Sequence, residues 1–383
     1  MTRYLPSGAG EGVSFPRMEW GRRLRVEAKT FVEPGPRLVD ELECVASVLL
    51  AIVFAHALDV RNVSWAAFSG YMVMRGHLSE SLLRGALRIA GTTAGAALAL
   101  LLVPVLLPSL AASSLAGAAI GGLSLYGALT SRRAYGWLFV GLTFEMVMLD
   151  KLAHPGLAVV DFAETRLLEV IAGTVACVVV SAASSLTARR RWPAPPTPPA
   201  PSLGWHAGAA RHAAQAAVAL VLLPPISTLF GIGDLAQSAI TIMAVMIVPV
   251  STLGVNSLWL VTQRVLHRAA GCLAGGAVAA LILLAAHGHA PVLIAATAAG
   301  VMIGRHIENG RGPVAYAGTQ FTLAILVTLV PDSYAAAAID PGLHRLIGIL
   351  IGSALMEPVL VAWHIVAPSR KDEPQKTVSS RTK

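Results

Sequence analysis

Two carboxylates stand inside runs of apolar residues. Glu145 lies in Phe144-Glu145-Met146 and Glu357 in Met356-Glu357-Pro358. A carboxylate in a low-dielectric setting favours its neutral form, so such a group can take up and release a proton nearer physiological pH. Glu357 reads as the deeper, beside Pro358, which frees a backbone carbonyl nearby. Glu145 lies about one turn from the end of its run and reads as the more able to snorkel outward. Arginines form a second set. Arg84, Arg88, Arg264 and Arg268 open two apolar runs, and Arg75 interrupts a third. An arginine fork suits a carboxylate. The bland alternative for these cations is anchoring at a membrane face. Arg345 is different, because topology asks for no cation there; Asp332 and Asp340 are its expected partners. Methionines form a third set: Met72, Met74, Met243 and Met246, with Met146 and Met148. Flexible thioethers adapt to ligands of varied shape, or fill gaps between helices.

These residues need a scaffold, and composition names its solvent. The chain of 383 residues is 55% hydrophobic and 13% charged, with mean hydropathy +0.67. Soluble domains carry about 25% charged residues, so lipid is the better solvent for this chain. The net charge of +8 sits in short gaps between apolar runs, which argues for membrane loops and against nucleic acid. The chain begins with polar residues up to about position 40, so no cleavable signal is expected. Cys44, Cys177 and Cys272 share no zinc or redox spacing and read as small packing residues.

Apolar runs give twelve candidate spans. The first six are Cys44–Val60, Val63–Met74, Ile89–Leu107, Leu110–Thr130, Ala134–Leu149 and Leu167–Ala188. The second six are Ala207–Phe230, Leu235–Val250, Ala269–Ala286, Pro291–Gly304, Val314–Val330 and Leu343–Val366. The expected organisation is an N-terminal segment 1–43, a membrane half 44–188, a Pro-rich linker 189–206, a second half 207–366 and a tail 367–383. Arginine-rich and arginine-poor loops alternate, which expects both termini and the linker in the cytoplasm. The second and eighth spans are short or broken, by Arg75-Gly76 and by Pro249 with Ser251-Thr252-Leu253-Gly254. Short segments at matching positions point to a transporter's substrate site.

A motif also repeats. Arg88-x-x-Gly91-x-x-x-Gly95 recurs as Arg268-x-x-Gly271-x-x-x-Gly275 and as Arg345-x-x-Gly348-x-x-x-Gly352. A weaker copy pairs Arg166 with Gly173-Thr174. The glycines read as helix-packing positions. Copies entering alternately from the two faces predict an all-α membrane protein of about twelve helices, in two parallel six-helix halves, each with inverted three-helix repeats.

Trp65-Ala66-Ala67, followed by Arg84-x-x-x-Arg88-x-x-Gly91-Thr92-x-x-Gly95, resembles the signature of the fusaric acid resistance-like family of the aromatic acid exporter superfamily. The second half repeats it as Arg264-x-x-x-Arg268-x-x-Gly271-Cys272, with Cys272 in the threonine position. Trp65 has no clear counterpart there, and Trp259 reads as part of a loop insertion. Many members carry a large cytoplasmic domain between the halves, where this chain has only residues 189–203. The resemblance implies an inner-membrane secondary transporter that exports aromatic or other organic acids and related amphipathic compounds, driven by the proton gradient. The expected partners are the lipid bilayer, a small organic-anion substrate, and either a second copy of the chain or a periplasmic adaptor protein. An organic-anion channel and a non-transport membrane scaffold are the alternatives. No enzyme activity and no cofactor is expected, because the chain has no Walker loop, HExxH or GxSxG. His287-x-His289 offers two ligands only, a poor metal site. Gly231-x-Gly233-x-x-Ala236 lacks the preceding strand of a dinucleotide site.

Overall fold

The computed structural model describes residues 30–31, 33–196, 204–233, 235–253, 257–310 and 314–366. These residues are helical throughout, with no strand among them. The chain runs through α1 (Pro36–Ala57), α2 (Val63–Val73), α3 (Leu78–Leu106), α4 (Leu110–Thr130), α5 (Ala134–Ala153), α6 (Val159–Leu186) and the short α7 (Ala188–Arg191). It continues through α8 (Ala207–Leu220), α9 (Leu223–Phe230), α10 (Ala236–Val245), α11 (Ser257–Ala286), α12 (Ala290–Glu308), α13 (Ala315–Leu329) and α14 (Asp340–Val366).

Among the described residues, seven segments are long and apolar enough to cross a membrane: α3, α4, α6, α8 with α9, α11, α12 and α14. They carry many exposed apolar residues, as lipid requires; Val105 and Leu284 are 75% and 73% exposed. The chain is therefore a multi-pass membrane protein. Several of the other expected spans are shorter: α2, α10 and α13 have 11, 10 and 15 residues, against the ~20 that cross a bilayer.

Several boundaries move from their sequence expectations. Helix α1 starts at Pro36, suited to a first turn, so the segment 1–43 ends in helix. Helices α3 and α6 start at Leu78 and Val159, earlier than the expected Ile89 and Leu167, because polar first turns continue each helix beyond its apolar run. Trp259 lies within α11, which starts at Ser257, and is not in a loop insertion. The expected span Ala207–Phe230 is two helices, divided just before Pro224-Pro225. Residues 1–29, much of the Pro-rich linker and the tail 367–383 lie outside the described residues.

The repeated glycines explain how the long helices seat the others. A methyl group on Gly91 would strike the Gly136 carbonyl oxygen of α5, and one on Gly271 the Ala317 carbonyl oxygen of α13. The copies on α6 and α14 face the short helices. Gly173 meets Ala66 of α2; Gly348 and Gly352 meet Gln237 and Ser238 of α10. Small residues thus bring backbones into contact where lipid supplies no hydrophobic drive between helices.

At one end, acids at the start of α1 hold arginines from distant helices. Arg305 Nε lies 2.7 Å from Asp40, Arg189 pairs with Glu43, and His306 lies 2.9 Å from Glu41. This network ties α1 to α12 and to the α6–α7 junction.

Candidate functional site: an arginine-lined cavity between two short helices

Helix α2 stops at Val73, with Met74 beyond it extended, and α10 stops at Val245, with Met246 beyond it in a turn. Each end leaves carbonyls without helical partners, and arginines of the following long helix take them. Arg84 Nε donates to the Met72 carbonyl at 2.9 Å, and Arg264 Nη2 to the Ala244 carbonyl at 3.2 Å. The Ser81 hydroxyl holds the Arg75 backbone just past α2, accepting from its N–H and donating to its carbonyl. A cation at a helix C-terminus is also favoured by the helix dipole. Arg84 and Arg264 are therefore placed by the helix breaks and not only by a membrane face.

Each of these arginines lies over a tyrosine. Arg84 Cζ is 3.7 Å from the Tyr135 ring centroid, and Arg264 Cζ is 4.1 Å from that of Tyr316. The next arginine on each helix bonds the same tyrosine's hydroxyl, Arg88 at 2.9 Å and Arg268 at 3.1 Å. Arg88 also donates to the Ser69 hydroxyl, and Arg268 to that of Thr241. The two constellations match residue for residue. Tyr135 and Tyr316 are 181 positions apart (316 − 135) and Arg84 and Arg264 are 180 apart (264 − 84).

Between them opens a cavity of about 690 Å³, flanked by α2 and α10. Arg75, Arg84, Arg132, Arg264 and Arg268 line it, with the rings of Phe68, Tyr135, Phe139 and Tyr316; among the described residues Glu80 is its one lining carboxylate. Arg75, Arg84, Arg88, Arg264, Arg268 and Arg345 have no carboxylate partner among the described residues. Arg88 and Arg268 are at most 2% exposed, and Arg88 Nε, Arg264 Nε and Arg268 Nη2 are buried without partners. Buried charge left uncompensated costs several kcal/mol. The arrangement suits an anion, and the rings suit an apolar or aromatic body on it.

Among the sequence-derived candidates, Arg75, Arg84, Arg268 and Met72 line this cavity. Arg88 stands one layer behind, with its guanidinium 4.1 Å from the Phe139 centroid. The other methionines do not come to it. Met74 is buried with its sulfur 4.0 Å from Cys177. Met243 packs on Gly141, and Met246 is buried with its carbonyl accepting from His212. Their helix positions face core rather than cavity, which apolar composition does not distinguish.

The two carboxylates exchange ranks. Glu145 does not snorkel; it is fully buried, and neither oxygen has a partner among the described residues. It lies against Gly117 and Gly121 of α4, whose lack of side chains makes the space. Glu357 is only half-buried as a residue, and its Oε2 accepts from the Thr262 hydroxyl at 3.0 Å, while its Oε1 is buried with no partner among the described residues. The position of Glu357 well inside an apolar run concealed that its face is partly open.

A second cavity of about 470 Å³ lies at the other ends of α2 and α10. Trp65, Gln237, Asp150, Arg166, Asp332 and Arg345 are among its lining residues. Arg345 does not meet Asp332 or Asp340. It donates to Gln237 and Gln320, because Asp332 instead accepts from the Val63 N–H at 2.7 Å. Gln237 occupies, on α10, the place that Trp65 holds on α2.

Sequence reasoning missed Tyr135, Tyr316, Phe139, Ser69, Thr241 and Gln320. The signal that finds the tyrosines is their repeat spacing, the same as that of the arginines to within one residue.

Comparison with known proteins completes the site. The model of the fusaric acid resistance protein family matches residues 42–195, and that described as fusaric acid resistance protein-like matches residues 226–356. No curated protein and no solved structure shows significant similarity to the chain. On these two matches, which divide the chain where its motif repeats, the protein belongs to the fusaric acid resistance protein family of membrane transport and efflux proteins.

Proposed function

We propose that this protein is an inner-membrane exporter of organic acids, aromatic carboxylates foremost, coupled to the proton gradient. The larger cavity holds the anion, and Glu145 carries the proton. The observation that carries this reading is the set of cavity arginines with no carboxylate partner, interleaved with aromatic rings. A cavity of this size accommodates small drug-like ligands. The proton role rests on Glu145, a buried carboxyl that no group in the described structure compensates. A carboxyl serving only to join helices would be hydrogen-bonded across them.

The scaffold in this reading is two parallel halves of six helices each, twelve spans with short α2 and α10 counted in, both termini cytoplasmic. The matched constellations Arg84–Tyr135–Arg88 and Arg264–Tyr316–Arg268 support the two halves. The protein acts without enzyme chemistry and without a cofactor. Binding of benzoate to the purified protein tests the site, with benzylamine as the cation of like shape. Saturable benzoate binding that benzylamine does not displace is expected. Preference for benzylamine would sink the anion reading.

A further inference from the structure

One guanidinium links the linings of the two cavities. Arg345 lines the smaller cavity, and its Nη2 donates at 3.1 Å to Gln320 Oε1, whose residue lines the larger one. Its Nη1 donates at 3.2 Å to Gln237 Oε1 on α10. Arg345 is 2% exposed, and its Nε is buried without a partner among the described residues.

The counterpart of Arg345 in the first half is Arg166, in the same cavity under opposite conditions. Arg166 Nη1 lies 3.0 Å from Glu169 and Nη2 lies 3.4 Å from Asp150, and its Cζ is 4.9 Å from the Trp65 centroid. Three residues after Arg345 the chain has Gly348, where Glu169 stands three residues after Arg166. The remaining acid on the lining, Asp332, is engaged by the Val63 N–H. Two neutral amides satisfy N–H groups of Arg345 but leave its charge uncompensated. A buried guanidinium in that state calls for an anion.

We propose that Arg345, with Gln237 and Gln320, forms a second anion subsite, which receives the carboxylate of the organic acid as it passes from the larger cavity into the smaller. The proposal rests on the anion-transport reading above. Gln320 touches both spaces through this contact, so a carboxylate displacing its amide from Arg345 stands at the boundary between them. The apolar body then lies toward Trp65 and Met146, on the lining of the smaller cavity. Arg166, already neutralised, does not compete for it.

Equilibrium binding of radiolabelled benzoate to the purified full chain tests this. The wild type should bind two benzoates per chain. Arg345→Gln, which keeps a hydrogen-bonding side chain, should weaken one site by about tenfold or more, the worth of a charge-assisted contact. Arg345→Lys should restore part of that loss, and Arg75→Gln should weaken the other site instead. Equal benzoate binding at both sites in Arg345→Gln would overturn the subsite, as would chloride displacing benzoate from it at equal concentration. If benzoate binds once, weakened by Arg75→Gln and untouched by Arg345→Gln, the second subsite fails and the transport reading stands. If the wild type binds no benzoate, both fail.

Discussion

At the scale of single residues, the cavity is lined by cations with no carboxylate partner among the described residues, and Glu145, outside that lining, is a buried carboxyl with no cation partner among them. Glu145 and Glu357 separate under mutation on this account. Glu145→Gln is nearly isosteric with the neutral acid, so protein level should hold while benzoate transport loses its dependence on a pH gradient. Glu357→Gln should keep that dependence, because the half-buried Glu357 already accepts a hydrogen bond from the Thr262 hydroxyl. Gradient-driven transport assayed in vesicles decides between them, and full coupling in Glu145→Gln would remove it from the mechanism. The methionines give a second contrast. Met74→Leu and Met246→Leu should leave the substrate profile unchanged, since both side chains face core, whereas Met72→Leu should alter it. A changed profile in Met74→Leu would mean that the cavity extends further than its present lining. The arginines were legible in the sequence because cations in apolar surroundings demand a reason. Tyr135 and Tyr316 were not, because an aromatic residue in an apolar chain carries no local signal of its partner.

Elements are placed by where helices break and where glycines let them touch. The short α2 and α10 were legible, since Arg75-Gly76 and Pro249 interrupt both apolar runs. What the breaks do was not, because the capping of their carbonyls by Arg84 and Arg264 is a contact between helices. The glycine repeat was legible as a packing face, and its seats on α5, α13, α2 and α10 follow from close approach. Adjacent Gly275 and Gly276 on α11 make an internal control. A methyl group on Gly275 meets the Phe321 carbonyl and Ala324, whereas one on Gly276 meets nothing within 4 Å. Gly275→Ala should destabilise by about 1–3 kcal/mol through overpacking. Gly276→Ala should be neutral or stabilise by about 0.5–1 kcal/mol through helix propensity. Thermal unfolding in detergent measures both, and equal shifts would refute the seating of α11 on α13.

For the whole molecule, composition made the membrane class plain, and charge alternation suggested the sidedness. The count of spans was harder to read, since hydropathy cannot tell a helix that crosses from one that stops at a cavity. The N-terminal acids complicate the charge pattern too. Arg189 and Arg305, which add to the arginine-rich side, are held by Glu43 and Asp40. Single cysteines at positions 196 and 289, both exposed, should label from opposite sides of the membrane. Labelling from one side would end the twelve-span arrangement. The central claim is that an acid crosses through the arginine cavity at the expense of the proton gradient. Its most direct test is benzoate movement in proteoliposomes under an imposed pH gradient, comparing wild type with Arg84→Gln and Arg84→Lys at matched folded protein. The account predicts saturable, gradient-dependent accumulation in the wild type, a loss of about tenfold or more in Arg84→Gln, and partial recovery in Arg84→Lys. Benzoate that only equilibrates across the membrane, at a rate the gradient and Arg84→Gln leave unchanged, would contradict it.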